Sequence, residues 1–256
     1  METYDIIIIG AGVAGMTAAI YAGRANKKVL ILEKKLSGGQ IITASKVMNW
    51  PGELLISGAD LTKKISHQVD SLGIKTKYET VEKVEEIKDG GFLVKTDESG
   101  YSCGAVIIAV GTEPRRLSKK QAEEAGFRPI SYCATCDGSL YQGKPVVVVG
   151  SGNTAKHEID YLKNIASKVY HIHHSDPIPE DAEAIFVAIG RIPETEAFDG
   201  LIELDENEYI VAGEDCHTSK EGIFVAGDSR TKTLRQLVTA AADGAVAAVE
   251  AVKFLK

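Results

Sequence analysis

The stretch YDIIIIGAGVAGMTAAIYAGRANKKVLILE, residues 4–33, decides how the rest of the chain is read. Tyr4–Ile9 is a run of strand length, apolar but for Asp5, and Gly10-Ala11-Gly12-Val13-Ala14-Gly15 is a glycine turn. A small-residue helix follows to about Ala25, and Lys28–Leu32 forms a second strand that ends on Glu33. Each part has a physical duty. Gly10 makes the tight turn, Gly12 lets the backbone approach a pyrophosphate, and Gly15 lets helix and strand pack closely. Phosphates gather at the helix N-terminus, where free N–H groups and the helix dipole favour negative charge. Glu33, 23 positions after Gly10, is placed to accept hydrogen bonds from a ribose. Strand, turn, helix, strand and acid in this order make a dinucleotide-binding βαβ unit.

Ile6 to Gly23 carries no charge and is long enough to pass for a membrane span by hydropathy alone. It holds Gly10, Gly12, Gly15 and Gly23, and Glu2 and Asp5 precede it where a secretory leader would need positive charge. The expectation is a cytoplasmic protein with no membrane partner. With 256 residues, 44% hydrophobic and 25% charged, the chain has the balance of a globular protein of one large or two modest domains. A net charge of −7 without a polybasic block argues against nucleic acid as a partner.

The same pattern returns halfway along. Pro145–Val149 reads as a strand, Gly150-Ser151-Gly152-Asn153-Thr154-Ala155 as a glycine turn opening a helix, and Lys168–Ile172 as the next strand. Between the two units lie a helix near Leu61–Leu72 and β segments around Ile74–Tyr78, Thr80–Ile87, Phe92–Thr96 and Val106–Val110. Beyond them come strands at Ala184–Ala188 and Ile223–Val225 and a long Ala-rich helix from about Thr233 to Phe254. Two dinucleotide folds in one chain point to two domains of α/β class, one for a flavin and one for a nicotinamide.

Of the four cysteines, only Cys133 and Cys136 are close in sequence, as Cys133-Ala134-Thr135-Cys136 with Asp137 next. No second CxxC or CxxH completes a zinc site, so no metal is expected and redox chemistry is the reading. A CxxC at a helical turn brings two sulfurs within disulfide reach and can lower one thiol's pKa. The adjacent carboxylate is suited to move the proton that thiol–disulfide exchange needs. Cys103 and Cys216 read as packing residues.

At these residues the chain resembles the low-molecular-weight flavin thioredoxin reductases. The matching stretches are Gly10–Gly15, Gly38-Gly39-Gln40, Asn49-Trp50-Pro51-Gly52, Ile107–Gly111, Cys133–Gly138, Ala226-Gly227-Asp228 and Leu234-Arg235-Gln236, in family order over nearly the whole chain. The resemblance implies two Rossmann-like, three-layer ββα domains. A discontinuous FAD domain takes residues 1–116 and 196–256, and a shortened insertion, 117–195, carries the dithiol. It also implies a homodimeric flavoprotein whose substrate is thioredoxin. Residue by residue, it puts Gly10, Gly12, Ala14, Gly15 and Glu33 on the adenosine half of FAD. Gly39, Gln40, Asn49 and Gly111 fall near the flavin half, Asp228 on the ribityl chain, and Arg235 and Gln236, at the start of the last helix, at the flavin edge. Cys136 then faces the flavin, Cys133 attacks the thioredoxin disulfide and Asp137 handles the proton.

One departure from that pattern bears on the electron donor. NADPH-using members carry several arginines after the strand that follows the second glycine turn. Here that place reads His171-Ile172-His173-His174-Ser175-Asp176-Pro177, and no arginine occurs between Arg128 and Arg191. No acid ends the strand as NAD would require, Lys156 and His157 crowd the helix start, and several dozen residues of the usual nicotinamide domain are missing before Ala184. The glycine turn is expected to persist because helix packing needs it. This loss resembles the ferredoxin-dependent flavin thioredoxin reductases, and it implies ferredoxin as donor. A flavin can take electrons singly, whereas a dithiol needs a pair. Basic clusters at Lys27-Lys28, Lys34-Lys35, Lys63-Lys64 and Arg115-Arg116 with Lys119-Lys120 offer docking charge to an acidic ferredoxin. The competing readings are an NADPH enzyme with a degenerate site, a dithiol oxidase that passes electrons to oxygen, and a non-catalytic redox sensor.

Overall fold

The structure is a computed structural model describing residues 1–88, 90–173 and 175–256, the Asn153 side chain excepted. The first βαβ unit is β1 (Glu2–Ile9), α1 (Val13–Arg24) and β2 (Val29–Leu32), followed by α2 (Gly58–Asp70) and β3 (Lys75–Lys77). A meander of β4 (Val81–Glu86), β5 (Phe92–Thr96) and β6 (Gly100–Ile108) leads to β7 (Thr112–Pro114). Next come α3 (Lys119–Ala125), β8 (Ile130–Ser131), α4 (Ala134–Asp137), β9 (Pro145–Val149), α5 (Asn153–Leu162), β10 (Lys168–Ile172), β11 (Ala184–Val187) and β12 (Arg191–Pro193). The chain closes with β13 (Ile223–Val225) and α6 (Leu237–Phe254). Two compact units result: Met1–Thr112 with Pro193–Lys256, and Glu113–Ile192. The crossing strands β7 and β12 pair with each other.

In the first unit the sheet order is β3-β2-β1-β6-β5-β4, with β13 also on β6. On its edge away from β1 the long β6 serves two partners: its first half pairs antiparallel with β5, and Val106–Ile108 pairs parallel with β13. This split hangs the meander on the parallel sheet as a third layer. Alternation along Ile6–Ile9 sends Ile6 and Ile8 to the helix side and Ile7 and Ile9 to the meander side, so this apolar half of β1 fills two cores. On the helix side α1 and α6 meet through Ala14, Ala18, Ala22, Ala247, Ala248 and Ala251. The approach is backbone-close: a Cβ on Gly244 would lie 2.2 Å from the Ala14 carbonyl oxygen. Ala14, placed on the adenosine by resemblance, is buried and packs at this crossing through its side of α1.

The second unit is a parallel sheet of order β10-β9-β11-β8. Val146 and Val148 of β9 face the α5 side, and Val147 and Val149 face the other core. From β10 the chain must cross β9 to reach β11, a connection that ordinarily takes a dozen or more residues and a helix. Here the crossover is only 173–183 and, among the described residues, carries no helix or strand. Ile178 and Ala182 plug the sheet face instead, packed with Val147, Val149, Ile185 and Val187. The Tyr170 hydroxyl bonds Asp181 at 2.6 Å, and Arg128 Nη1 donates to the Pro179 carbonyl at 2.7 Å, fastening the short crossover down.

The last helix begins at Leu237, not near Thr233. Gln236 is extended and caps the helix, exchanging hydrogen bonds with Thr239, so Arg235 and Gln236 stand before the first turn. Among the described residues no helix is long and apolar enough to cross a membrane.

Candidate active site

The glycine turn of the first unit is built as its spacing requires. A Cβ at Gly15 would fall 1.9 Å from the Gly10 carbonyl oxygen, so α1 can lie this close to β1 only with glycine there. At Gly12, by contrast, a Cβ would meet nothing within 4 Å. The space over Gly12 is open, as a pyrophosphate approach demands. Glu33 is buried and its two oxygens accept the backbone N–H groups of Ala11 (2.7 Å) and Lys35 (2.9 Å), which locks the turn to the end of β2. The Gly38 amide donates to the Ala11 carbonyl at 2.8 Å, bringing the Gly38-Gly39-Gln40 loop to the same turn. Gly39 lies there with its backbone against Gly12.

Gln40 donates to the Thr112 carbonyl, next to Gly111, which holds a positive φ of 70°. Asn49 donates to the Gln236 side chain at 3.0 Å. Distant expected site residues thus meet in pairs on the first unit. Asp228 is half-buried on the turn after β13. Arg235 braces the backbone around that turn. It donates to the carbonyls of Asp228, Arg230 and Lys232 and stacks on Tyr209, 4.2 Å from the ring centroid. An open cradle at Gly12, a fixed acid at Glu33 and a tied glycine loop are what a dinucleotide needs.

In the second unit Cys133 and Cys136 form a disulfide across the one-turn helix α4. Cys136 is exposed and Cys133 half-buried. The Asp137 carboxylate accepts the Ser131 hydroxyl at 2.6 Å, and Ser131 Oγ also accepts the Cys133 N–H at 3.1 Å. Ser131 is itself buried, so it fixes both the acid and the first cysteine from below. Behind α4, Glu158 on α5 accepts the Ala134 N–H at 3.5 Å, and burial pushes its carboxyl up to about 7. Cys103 and Cys216 are buried, with thiols pushed up to about 12, chiefly by burial.

At the second glycine turn the tight packing is against the end of β11 more than against the helix, and at one glycine only. A Cβ on Gly150 would lie 2.3 Å from the Ala188 carbonyl oxygen, whereas one on Gly152 would meet nothing within 4 Å. Lys156 and His157 are both exposed on α5. At the end of β10, His171 Nε2 lies 2.7 Å from the Gly150 carbonyl oxygen, and Asp176 accepts the His173 N–H at 2.7 Å. His174 lies outside the described residues.

The family model described as pyridine nucleotide-disulphide oxidoreductase matches residues 4–181 and 176–244. The chain belongs to the pyridine nucleotide-disulphide oxidoreductase family. Its relatives narrow the class further. It is 35% identical to a thioredoxin reductase of Bacillus subtilis over 96% of this chain and 93% of that protein. The solved thioredoxin reductase of Streptococcus pyogenes superposes with a TM-score of 0.91 at 30% identity, covering 99% of this chain and 98% of that one. A ferredoxin-flavin thioredoxin reductase of Clostridium acetobutylicum matches with a TM-score of 0.64 at 29% identity, covering 100% and 98%. The chain is thus a thioredoxin reductase-like flavin disulfide reductase, and FAD is its cofactor.

Ser131, Glu158 and Asp243 were not singled out from sequence. Asp243 had a signal, as the one acid in the middle of the apolar stretch Val238–Val249. Ser131 and Glu158 had none, because only the packing of β8 and α5 around α4 brings them to the dithiol.

Proposed function

We propose that this protein reduces thioredoxin through Cys133 and Cys136, with electrons drawn from ferredoxin and not from NADPH. The observation that carries the donor assignment is the end of β10. A 2′-phosphate is ordinarily met by arginine forks in charge-assisted hydrogen bonds. Here the strand-end amide of His173 is already taken by the Asp176 carboxylate, which repels a phosphate, and no arginine stands between Arg128 and Arg191. The short crossover leaves little wall to enclose a nicotinamide. Two features of the comparisons favour the same reading. The family model breaks into two pieces that overlap at 176–181, within this crossover. The Bacillus subtilis alignment runs to 295 positions against a chain of 256, so several dozen of its positions have no counterpart here.

Gly10, Gly12, Ala14, Gly15, Glu33, Gly39, Gln40, Asn49, Gly111, Asp228, Arg235 and Gln236 hold FAD in this reading. The bound flavin supplies the means to turn single electrons into the pair a disulfide requires. Cys136 takes that pair, Cys133 attacks the substrate disulfide, and Asp137, oriented by Ser131, moves the proton. The protein works as a cytoplasmic homodimer. Ferredoxins are acidic, as is this chain, so docking needs a local basic face. Lys34, Lys64 and Lys120 are engaged by Glu194, Glu53 and Glu124. Arg115, Arg116 and Lys119 are exposed and make no ion pair among the described residues, which makes them the docking charge.

The test is anaerobic mixing of the purified yellow protein with each reductant while flavin absorbance is followed. Reduced ferredoxin should bleach the flavin and NADPH or NADH should not. Rapid bleaching by micromolar NADPH with ferredoxin inert would reverse the donor assignment and leave the dithiol chemistry standing.

A further inference from the structure

Glu158 is a carboxyl that the proposed dithiol chemistry does not use. It projects from α5 toward the peptide that joins Cys133 to Ala134, where Oε1 accepts the Ala134 N–H at 3.5 Å. Its Oε2 is buried and has no hydrogen-bond partner among the described residues. An acceptor oxygen shut away from water is costly as a carboxylate and far less so once it carries a proton. The packing leaves it little freedom to escape. A Cβ on Gly138 would lie 3.1 Å from Leu162 Cδ2 and 3.3 Å from Tyr161 Cε1, so the turn after the dithiol sits directly on α5. The titratable groups on the surrounding elements are Cys133 at the start of α4, Cys136 and Asp137 of α4, Tyr141 just after it, Arg191 of β12, Lys156, His157, Asp160 and Tyr161 of α5 itself, and Lys163 just past its end. Asp137 is turned to Ser131. Arg191 attracts the Glu158 charge, but burial outweighs it.

We propose that Glu158 is a positioning residue for the dithiol, holding a proton beside it when the disulfide opens. Opening the Cys133–Cys136 bond takes two electrons from the reductant and draws two protons from solvent. One proton completes a thiol, the other sits on Glu158, and the second sulfur stays a thiolate. Atoms and charge balance, because disulfide, carboxylate, two electrons and two protons give one thiol, one thiolate and one carboxyl. A neutral Glu158 spares that thiolate a buried like charge one peptide away, whereas an ionised one opposes it. Burial pushes this carboxyl up to about 7, so a modest change in nearby charge moves it between these states near neutral pH. The inference rests on the proposed dithiol cycle but not on its donor or substrate.

The experiment uses the holoprotein reduced by dithiothreitol, so neither ferredoxin nor thioredoxin enters. After removal of the reductant, iodoacetamide alkylation of the dithiol is followed against pH in wild type and in Glu158→Gln, an uncharged isostere. Glu158→Gln should match wild type in acid and outrun it several-fold once the wild-type carboxyl ionises, with the wild-type inflection for that ionisation lost. Superimposable profiles would overturn the proposal. Should the variant not fold, the wild-type protein carrying carboxyl-labelled glutamate decides the matter by infrared difference spectroscopy. A glutamic acid band gained on reduction supports the proposal, and no such band refutes it. Failure of the donor assignment would leave both readouts unchanged.

Discussion

Asp243 takes hydrogen bonds from the Arg230 guanidinium on both of its oxygens, at 2.9 and 3.0 Å, with both side chains almost wholly buried. The same carboxylate accepts the Gly227 amide at 3.0 Å and the Lys232 ammonium at 2.6 Å. One acid on α6 thereby ties down the Ala226-Gly227-Asp228 turn from beneath. Burial alone would raise this carboxyl, but Arg230 and Lys232 outweigh it and hold it below the usual carboxylate range. A group held low in the fold stabilises fully above its unfolded pKa of about 3.9, and that contribution fades as pH falls further toward the folded value. Asp243→Asn strands two buried cations, and breaking such a pair costs about 3–5 kcal/mol. Urea unfolding at pH 7 should report that loss together with easier FAD release, and the gap from wild type should narrow in acid. An unchanged midpoint would exclude this role.

Gly12 and Gly15 should fail in different ways. Gly12→Val has open space for its side chain and an extended backbone, so the protein should fold and purify colourless. Gly15→Val drives a Cβ into the Gly10 carbonyl oxygen and should not fold. Flavin content and circular dichroism separate the outcomes. A yellow Gly12→Val protein would remove the nucleotide from this turn.

Ser131→Ala should slow thioredoxin turnover without loss of FAD, because it frees Asp137 and the Cys133 amide together. A hydrogen bond to a charged group is worth about 1.5–3 kcal/mol, which sets the loss at roughly tenfold or more if it acts at the transition state. Unaltered turnover would mean that Asp137 needs no orientation.

The two cysteines of the dithiol should trap different partners. Cys136→Ser leaves Cys133 to hold a mixed disulfide with thioredoxin, visible on a non-reducing gel. If Cys133→Ser is the variant that traps, the roles are exchanged. In either protein Cys103 and Cys216 should stay silent to a thiol reagent until denaturant is added, since burial pushes both thiols up to about 12.

Arg115→Glu with Arg116→Glu should slow flavin reduction by ferredoxin by roughly tenfold at low ionic strength and flatten its salt dependence. Thioredoxin-linked turnover from a chemically reduced flavin serves as the internal control. An unaffected rate would move ferredoxin to another face.

Local patterns in the chain specify most of the elements and their order, although α3, β8 and the crossing strands β7 and β12 were not legible in it. Tyr4–Ile9, Pro145–Val149 and the glycine offsets are local patterns, and a strand, a tight turn or a CxxC within one helical turn is specified by neighbours a few positions apart. The missing arginines were equally legible, because an absence needs no coordinates. Only the tertiary structure decided which polar groups answer one another: Glu158 with Ala134, 24 positions apart, and Asn49 with Gln236, 187 apart. It also moved the start of α6 to Leu237 and turned Arg235 onto backbone carbonyls. The physical reason is the same in each case. Apolar burial follows the period of a single element, but a buried donor or acid chooses its partner from whatever face is packed against it.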